Sequence, residues 1–339
     1  MKTFTPRIAA ALAAMALALG LAACGEKEED LSGAAETQQF DLALDFYVNP
    51  DHAGIYAGLQ RGYFQRAGLD VKPRVPSDPS APIKEVAAGR ADLAISYEPE
   101  VLLAREQGLD VVAVAAIVDE PLTSLISLPA AGIAQPADLQ GKTVATAGIP
   151  YQADYLETIL AGAGLASKDV SQVDVGLNLL PALLGGQADA ILGGFSNIEG
   201  VDLSARGAGP LIVPVDELGV PSYDELVLVA QGDRVADDPE DIRFFISALG
   251  RGTKAAVENP QEATDAVLAN AGGLDPALTR AEIDATLPLL ARSEGEPYGQ
   301  MDPEEWKLFA SWMADNGLIS EVPDVEDVLT NELLPGETD

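Results

Sequence analysis

Short apolar runs of period two alternate with stretches of helical periodicity along most of this 339-residue chain, and that alternation confines it to α/β folds. Leu42, Leu44 and Phe46 recur at every second position, which predicts a half-buried strand over 41–48. Ile55, Leu59 and Tyr63 fall on one face of a helix over 52–64, and Gly68 closes it before Leu69-Asp70-Val71 opens a strand. A further helix ends at Gly108, and Val111-Val112-Ala113-Val114 follows as a buried strand. The turn Pro136–Lys142 leads to the strand Thr143–Ala145, and Tyr151–Ala163 is helical. Glu225–Val229 reads as a strand returning the chain to its first part. From Pro239 to Gly317 the pattern is helical, and the acidic tail from Ser320, with Pro323 and Pro335, reads as loop. Such repeated βα units predict a largely parallel sheet.

An internal echo divides this pattern in two. Gly89-Arg90-Ala91-Asp92-Leu93-Ala94-Ile95 resembles Gly186-Gln187-Ala188-Asp189-Ala190-Ile191-Leu192. Each string follows an apolar helix and runs into a short buried strand. The strands end in Ser96-Tyr97-Glu98 and Phe195-Ser196-Asn197. Ligands of open α/β sheets sit at the carboxyl ends of strands, so two such ends suggest two similar lobes facing one cleft.

The beginning of the chain reads as an export signal. Lys2 and Arg7 precede an apolar run from Ile8 to Ala23, shorter than the ~20 residues a spanning helix needs. Leu21-Ala22-Ala23-Cys24 resembles the bacterial lipobox, which implies cleavage before Cys24 and its lipidation. The domains expected are a signal peptide over 1–23, a polar tether over 24–40, and a first lobe over 41–125. A second lobe over 126–226 follows, then the rest of the first lobe over 227–319 and an acidic tail over 320–339.

Composition removes several function classes. The chain has 54 Asp plus Glu against 20 Lys plus Arg, a formal charge of −34, which opposes binding to nucleic acid. One Cys and one His leave no disulfide framework and no Cys- or His-based metal site, and no cofactor motif is present. An acid-rich surface of this kind predicts stability that rises with salt.

Four strings carry a family resemblance. Asn49–Gly54 (NPDHAG), Pro76–Pro82 (PSDPSAP), Ser96–Glu100 (SYEPE) and Phe195–Gly200 (FSNIEG) resemble the ThiY-like group of solute-binding proteins of bacterial ABC importers. The resemblance runs from about residue 41 to about 315. It implies a type II periplasmic-binding fold: two α/β lobes around a ligand cleft, joined by a two-strand hinge near Ser124–Leu128 and Leu226–Ala230. The implied ligand is a pyrimidine precursor of thiamine, formylaminopyrimidine or hydroxymethylpyrimidine, captured by lobe closure. The implied partners are an ABC permease with its ATPase, and the membrane through the lipid on Cys24. The protein is then a monomer on the extracytoplasmic side of a bacterial membrane, periplasmic if Gram-negative, and not an enzyme.

An aminopyrimidine needs aromatic faces to stack on and a carboxylate in its plane. The stacking candidates are Phe46, Tyr47, Tyr97, Tyr151 and Phe195. Glu199 is the favoured carboxylate, matching a Glu of the family string, and Glu98 is second. Asn49, His52 and Asn197 complete the candidate ligand-binding set. Each has a plainer reading. Phe46 and Phe195 also suit a core, Glu199 a solvated helix, His52 a helix cap and Asn49 a turn. The string departs from the family at Ser196, where an aromatic, often Trp, is usual, and serine cannot stack.

Two other functions remain in view. The same fold binds alkylsulfonates, taurine or nitrate, but those anions want an Arg or converging N–H donors, and no Arg lies in the four strings. A fungal pyrimidine synthase resembles these binding proteins but uses a Lys, a His and a Cys-rich segment. Here Ser96–Glu100 holds neither Lys nor His, and Cys24 is spent on the lipobox.

Overall fold

The computed structural model describes residues 37–291 and 297–336. The export signal, Cys24 and nearly all of the tether lie outside the described residues. Two five-stranded sheets organise the rest. The first half of the chain supplies β1 (Gln38–Ala43), α1 (Ala53–Gln60), α2 (Tyr63–Arg66), β2 (Leu69–Arg74), α3 (Ala81–Ala87), β3 (Leu93–Ser96), α4 (Glu98–Glu106) and β4 (Val111–Val118). The middle supplies β5 (Thr123–Ser127), β6 (Thr143–Thr146), α5 (Tyr151–Gly162), β7 (Ser171–Asp174), α6 (Leu179–Leu184), β8 (Ala190–Phe195), α7 (Glu199–Ala205) and β9 (Leu211–Pro214). The last part supplies β10 (Leu226–Gln231), α8 (Gly232–Asp237), α9 (Glu240–Glu258), α10 (Pro260–Asn270), α11 (Pro276–Leu290) and α12 (Pro303–Asp315).

The sheet orders are β2-β1-β3-β10-β4 and β7-β6-β8-β5-β9, the same arrangement twice. In each, the first three strands of the lobe are parallel and one crossing strand runs against its neighbours. The sheets are therefore mixed rather than largely parallel. Local periodicity marks a strand but not its direction, and β5 and β10 run antiparallel because each enters its sheet from the other lobe. The chain changes sheet between Val118 and Thr123 and returns before Leu226.

The echo has a structural cause. Gly89 and Gly186 adopt left-handed φ of 65° and 70°. Each ends its helix by a Schellman turn, with Arg90 N–H bonded to Glu85 O and Gln187 N–H to Ala182 O, both at 2.9 Å. The aspartate two residues further on then reaches the first strand of its own sheet. Asp92 accepts from Asp41 N–H at 2.5 Å, and Asp189 accepts from Thr143 N–H at 2.8 Å. The shared Gly-x-Ala-Asp string encodes a helix stop and a strand cap in both lobes.

The first strand is shorter than the periodicity predicts. It pairs over Gln38–Ala43, and the chain then leaves the sheet, carrying Asp45, Phe46 and Tyr47 into a loop. The helix predicted over 52–64 is interrupted as well: a short 3-10 turn occupies Pro50–His52, and Gly62 at φ 66° separates α1 from α2. Behind them α9 crosses α1 closely. A Cβ on Gly252 would stand 2.2 Å from Gly54 O, so only glycine permits this approach. Phe245 on α9 stacks on Phe40 of β1 at 5.2 Å, adding about 0.5–1.5 kcal/mol to the burial itself. The acidic tail is mostly loop and is anchored on the first sheet. Leu329 bridges Ala113 of β4, and Val328, Leu329 and Leu333 are buried. Among the described residues no helix is long and apolar enough to cross a membrane.

Candidate ligand-binding site

The parallel strands of both lobes end at one cavity of about 250 Å³. Asp45, Phe46 and Tyr47 follow β1, Tyr97 follows β3, Ala147 and Ile149 follow β6, and Phe195 ends β8. The cavity thus lies where the strand-end rule for α/β sheets puts a ligand. Tyr97 from the first lobe meets Tyr151 from the second edge-on, with ring centroids 6.5 Å apart. Phe46 and Tyr47 form a T-shaped pair at 5.3 Å. Tyr47 is 56% exposed and so stands at the mouth.

Of the ten ligand-binding candidates, Phe46, Tyr47, Asn49, Tyr97, Tyr151, Phe195 and Glu199 line the cavity. His52, Glu98 and Asn197 do not; each is buried behind it as a brace. His52 Nδ1 accepts from Asn49 N–H at 3.2 Å, which leaves the proton on Nε2 to be donated to Asp45 Oδ1 at 2.9 Å. Tyr97 Oη donates to the other oxygen of Asp45 at 3.0 Å. The histidine therefore fixes the loop that carries Phe46 and Tyr47. Asn49 caps the Pro50–His52 turn by accepting from Asp51 N–H at 2.8 Å. Glu98 accepts from Asp224 N–H at 2.8 Å and ties the start of α4 to the chain entering β10. Asn197 joins the lobes: its amide donates to Asp51 Oδ1 at 2.6 Å and to Thr286 Oγ1 at 2.8 Å. Ser196 is absent from the lining, and Phe195 occupies the wall at that strand end.

Glu199 begins α7. One carboxylate oxygen accepts from Phe195 N–H at 2.8 Å, closing the turn between β8 and the helix. Burial raises its pKa, against the lowering effect of that N–H. Gln152 and Glu282 also line the cavity and were not anticipated. Gln152 accepts from Ala147 N–H through Oε1 at 2.8 Å, which turns its amide nitrogen toward Gly193. A Cβ at Gly193 would stand 2.4 Å from that nitrogen, and the residue holds φ 111°, so both space and backbone require glycine. Glu282 lies on the buried face of α11 with Thr279, Ile283 and Thr286. A glutamate on an otherwise apolar-and-threonine face is the signal that would have found it.

The buried carboxyls share a trend. Burial pushes Asp51, Glu100 and Glu225 up to about 7. Burial first, then the charges of Asp202, Glu199 and Asp51, pushes Glu282 up to about 8. A carboxyl with a raised folded-state pKa holds its proton more tightly folded than unfolded. The stability this lends is complete below the unfolded value of ~4 and is lost as pH rises through about 7 to 8. The melting temperature of the unliganded protein is therefore expected to fall from pH 5 to pH 8, and molar salt at pH 8 to recover part of the loss. A curve that is flat or rising with pH would contradict this. Among the described residues no cluster of three His, Cys, Asp or Glu side chains is arranged to hold a metal ion.

Two lobes of mixed sheet around an aromatic cleft define a periplasmic-binding-protein fold. The chain belongs to the NMT1/THI5-like family, which it matches over residues 49–263. It is 35% identical over 317 residues to the formylaminopyrimidine-binding protein of Halalkalibacterium halodurans, covering 92% of this chain and 95% of that one. It is 26% identical over 236 residues to the 4-amino-5-hydroxymethyl-2-methylpyrimidine phosphate synthase of Uromyces fabae, covering 66% of this chain and 69% of the synthase. In fold it is similar to the alkanesulfonate-binding protein SsuA of Xanthomonas axonopodis pv. citri, with a TM-score of 0.69, 16% identity, and coverage of 88% and 100%.

Proposed function

We propose that the protein captures a thiamine pyrimidine precursor, formylaminopyrimidine or hydroxymethylpyrimidine, and delivers it to an ABC importer. The observation that carries this reading is an aromatic cavity walled by Glu199, with no Lys, Arg or His among its described lining residues. Tyr97, Tyr151, Phe46 and Phe195 offer faces and edges for a flat ring, each contact adding about 0.5–1.5 kcal/mol. The Glu199 carboxylate accepts from the ring's amino group, and from the ring nitrogen when that is protonated. The Gln152 amide supplies a donor for an unprotonated ring nitrogen. The 35% identity to a formylaminopyrimidine-binding protein supports the same ligand class. In this reading export and lipidation at Cys24 hold the chain outside the cytoplasmic membrane as a monomer, and closure of the lobes presents it to the permease.

The sulfonate alternative is favoured by fold likeness alone, at 16% identity. An anion in this cavity would face Asp45, Glu199 and Glu282 with no Lys, Arg or His among the described lining residues to offset them. The enzyme alternative draws on the synthase relative, but the strand-end string Ser96–Glu100 offers no Lys or His for catalysis.

Isothermal titration with formylaminopyrimidine, hydroxymethylpyrimidine and taurine tests the proposal. Saturable binding of a pyrimidine and none of taurine is the expected result. Absence of heat with both pyrimidines, for folded protein, would refute it.

A further inference from the structure

We propose that Glu282 is a second ligand-contacting carboxylate of the cavity, which selects pyrimidines with a neutral or cationic side chain and rejects their phosphate esters. This rests on the pyrimidine reading above and extends it to the ligand's substituent. Glu282 is supplied by α11, an element of the first lobe far in sequence from the four family-like strings, and lines the cavity while only 6% exposed.

Its surroundings make the argument. The other acids near it each have a partner. Asp202 is paired with Arg206, Asp51 accepts from Asn197, and Glu199 accepts from Phe195 N–H. No described residue donates a hydrogen bond to Glu282 or forms an ion pair with it. A nearly buried carboxyl among like charges and without a donor is unfavourable in the empty protein. A ligand donor entering the cavity relieves that cost, so the gain appears on binding. Burial and the neighbouring acids raise its pKa to about 8. Near neutrality a hydroxymethyl substituent therefore meets a protonated carboxyl that donates and accepts, and an aminomethyl cation draws the proton off and pairs with the carboxylate. A phosphate ester brings two negative charges to the same place and finds Glu282 and Glu199 there, with no Lys, Arg or His among the described lining residues. The cavity thus favours a cation over an anion, and Glu282 is the acid to which no described protein group donates.

The test uses three probes, hydroxymethylpyrimidine, its aminomethyl analogue and its phosphate ester, titrated into the parent chain and Glu282→Gln at neutral pH. In the parent chain the amine is expected to bind at least as well as the alcohol, and the phosphate least. In Glu282→Gln the amine weakens by about tenfold, the loss of one charge-assisted contact, and the gap between amine and phosphate narrows. Melting temperature is followed in parallel, and replacing a nearly buried carboxyl that has no donor is expected to hold or raise it. An unchanged amine-to-phosphate ratio in the variant overturns this inference while the pyrimidine reading survives. A folded parent chain that binds none of the three overturns both. Should Glu282→Gln not fold, Glu282→Asp, which withdraws the charge by one methylene, is expected to narrow the same ratio; an unaltered ratio there also overturns the inference.

Discussion

Glu199→Ala is expected to bind hydroxymethylpyrimidine about 10- to 100-fold more weakly than the parent chain, from the loss of a charge-assisted hydrogen bond of about 1.5–3 kcal/mol. The carboxylate faces the cavity from the first turn of α7, held by Phe195 N–H at 2.8 Å. Alanine removes both the ligand's acceptor and the acceptor for that N–H. Glu199→Gln separates the two effects. It keeps an oxygen for Phe195 but gives up the charge and offers an N–H where the ligand's amino group also donates. Its affinity should fall nearly as far, while its melting temperature stays closer to that of the parent chain. Isothermal titration reads the affinity and thermal melting the fold. Equal affinities in all three proteins would remove Glu199 from the site and place it among helix-capping residues.

The largest effect on stability is expected at Glu225→Ala, about 3–5 kcal/mol. Glu225 stands just before β10, at the returning crossover, and reaches the outgoing one. It accepts from Leu122 N–H at 2.8 Å, Thr123 N–H at 2.7 Å, Thr123 Oγ1 at 2.9 Å and Tyr223 Oη at 2.9 Å. All these groups are buried, so truncation strands two backbone donors and two hydroxyls away from water, each orphan costing about 1–3 kcal/mol before relaxation. Glu225→Gln retains acceptor capacity and should lose less than half as much. Urea denaturation measures both variants. A loss below about 1 kcal/mol for the alanine variant would mean that water replaces the carboxylate and that the crossovers do not depend on it.

Much of the architecture is written locally. A left-handed glycine followed by aspartate specifies a helix stop and a strand cap, so the echo at Gly89 and Gly186 located the third strand of each sheet. The aromatic candidates were legible for a similar reason: residues just past a buried strand have nowhere to go but the strand-end cleft. The misses share a different cause. The direction of β5 and β10 depends on which lobe the chain arrives from, which no short window records. Leu329 and Leu333 were hidden by the acids around them, since composition averages over a segment while docking needs only a few side chains. Asp45, Gln152 and Glu282 were missed because they lie outside the four family-like strings and reach the cavity only through the tertiary arrangement of the elements that carry them. His52, Glu98 and Asn197 are polar residues in the right strings, yet their hydrogen bonds are spent inside the protein.

The bond from Asn197 to Asp51 and Thr286 has a kinetic meaning. It spans the cleft beside the ligand cavity without lining it. In the lobe-closure cycle proposed above, opening must break both contacts and hydrate an aspartate that is almost wholly buried. That barrier belongs to the protein and is the same for every ligand. In that cycle a common gate sets the entry and exit rates, while the ligand's own contacts set how often the gate finds the cavity filled. Two pyrimidines of different affinity should therefore share a dissociation step limited by the same opening, so that the clock of release is kept by Asn197 and the choice of cargo by the acids and rings beside it.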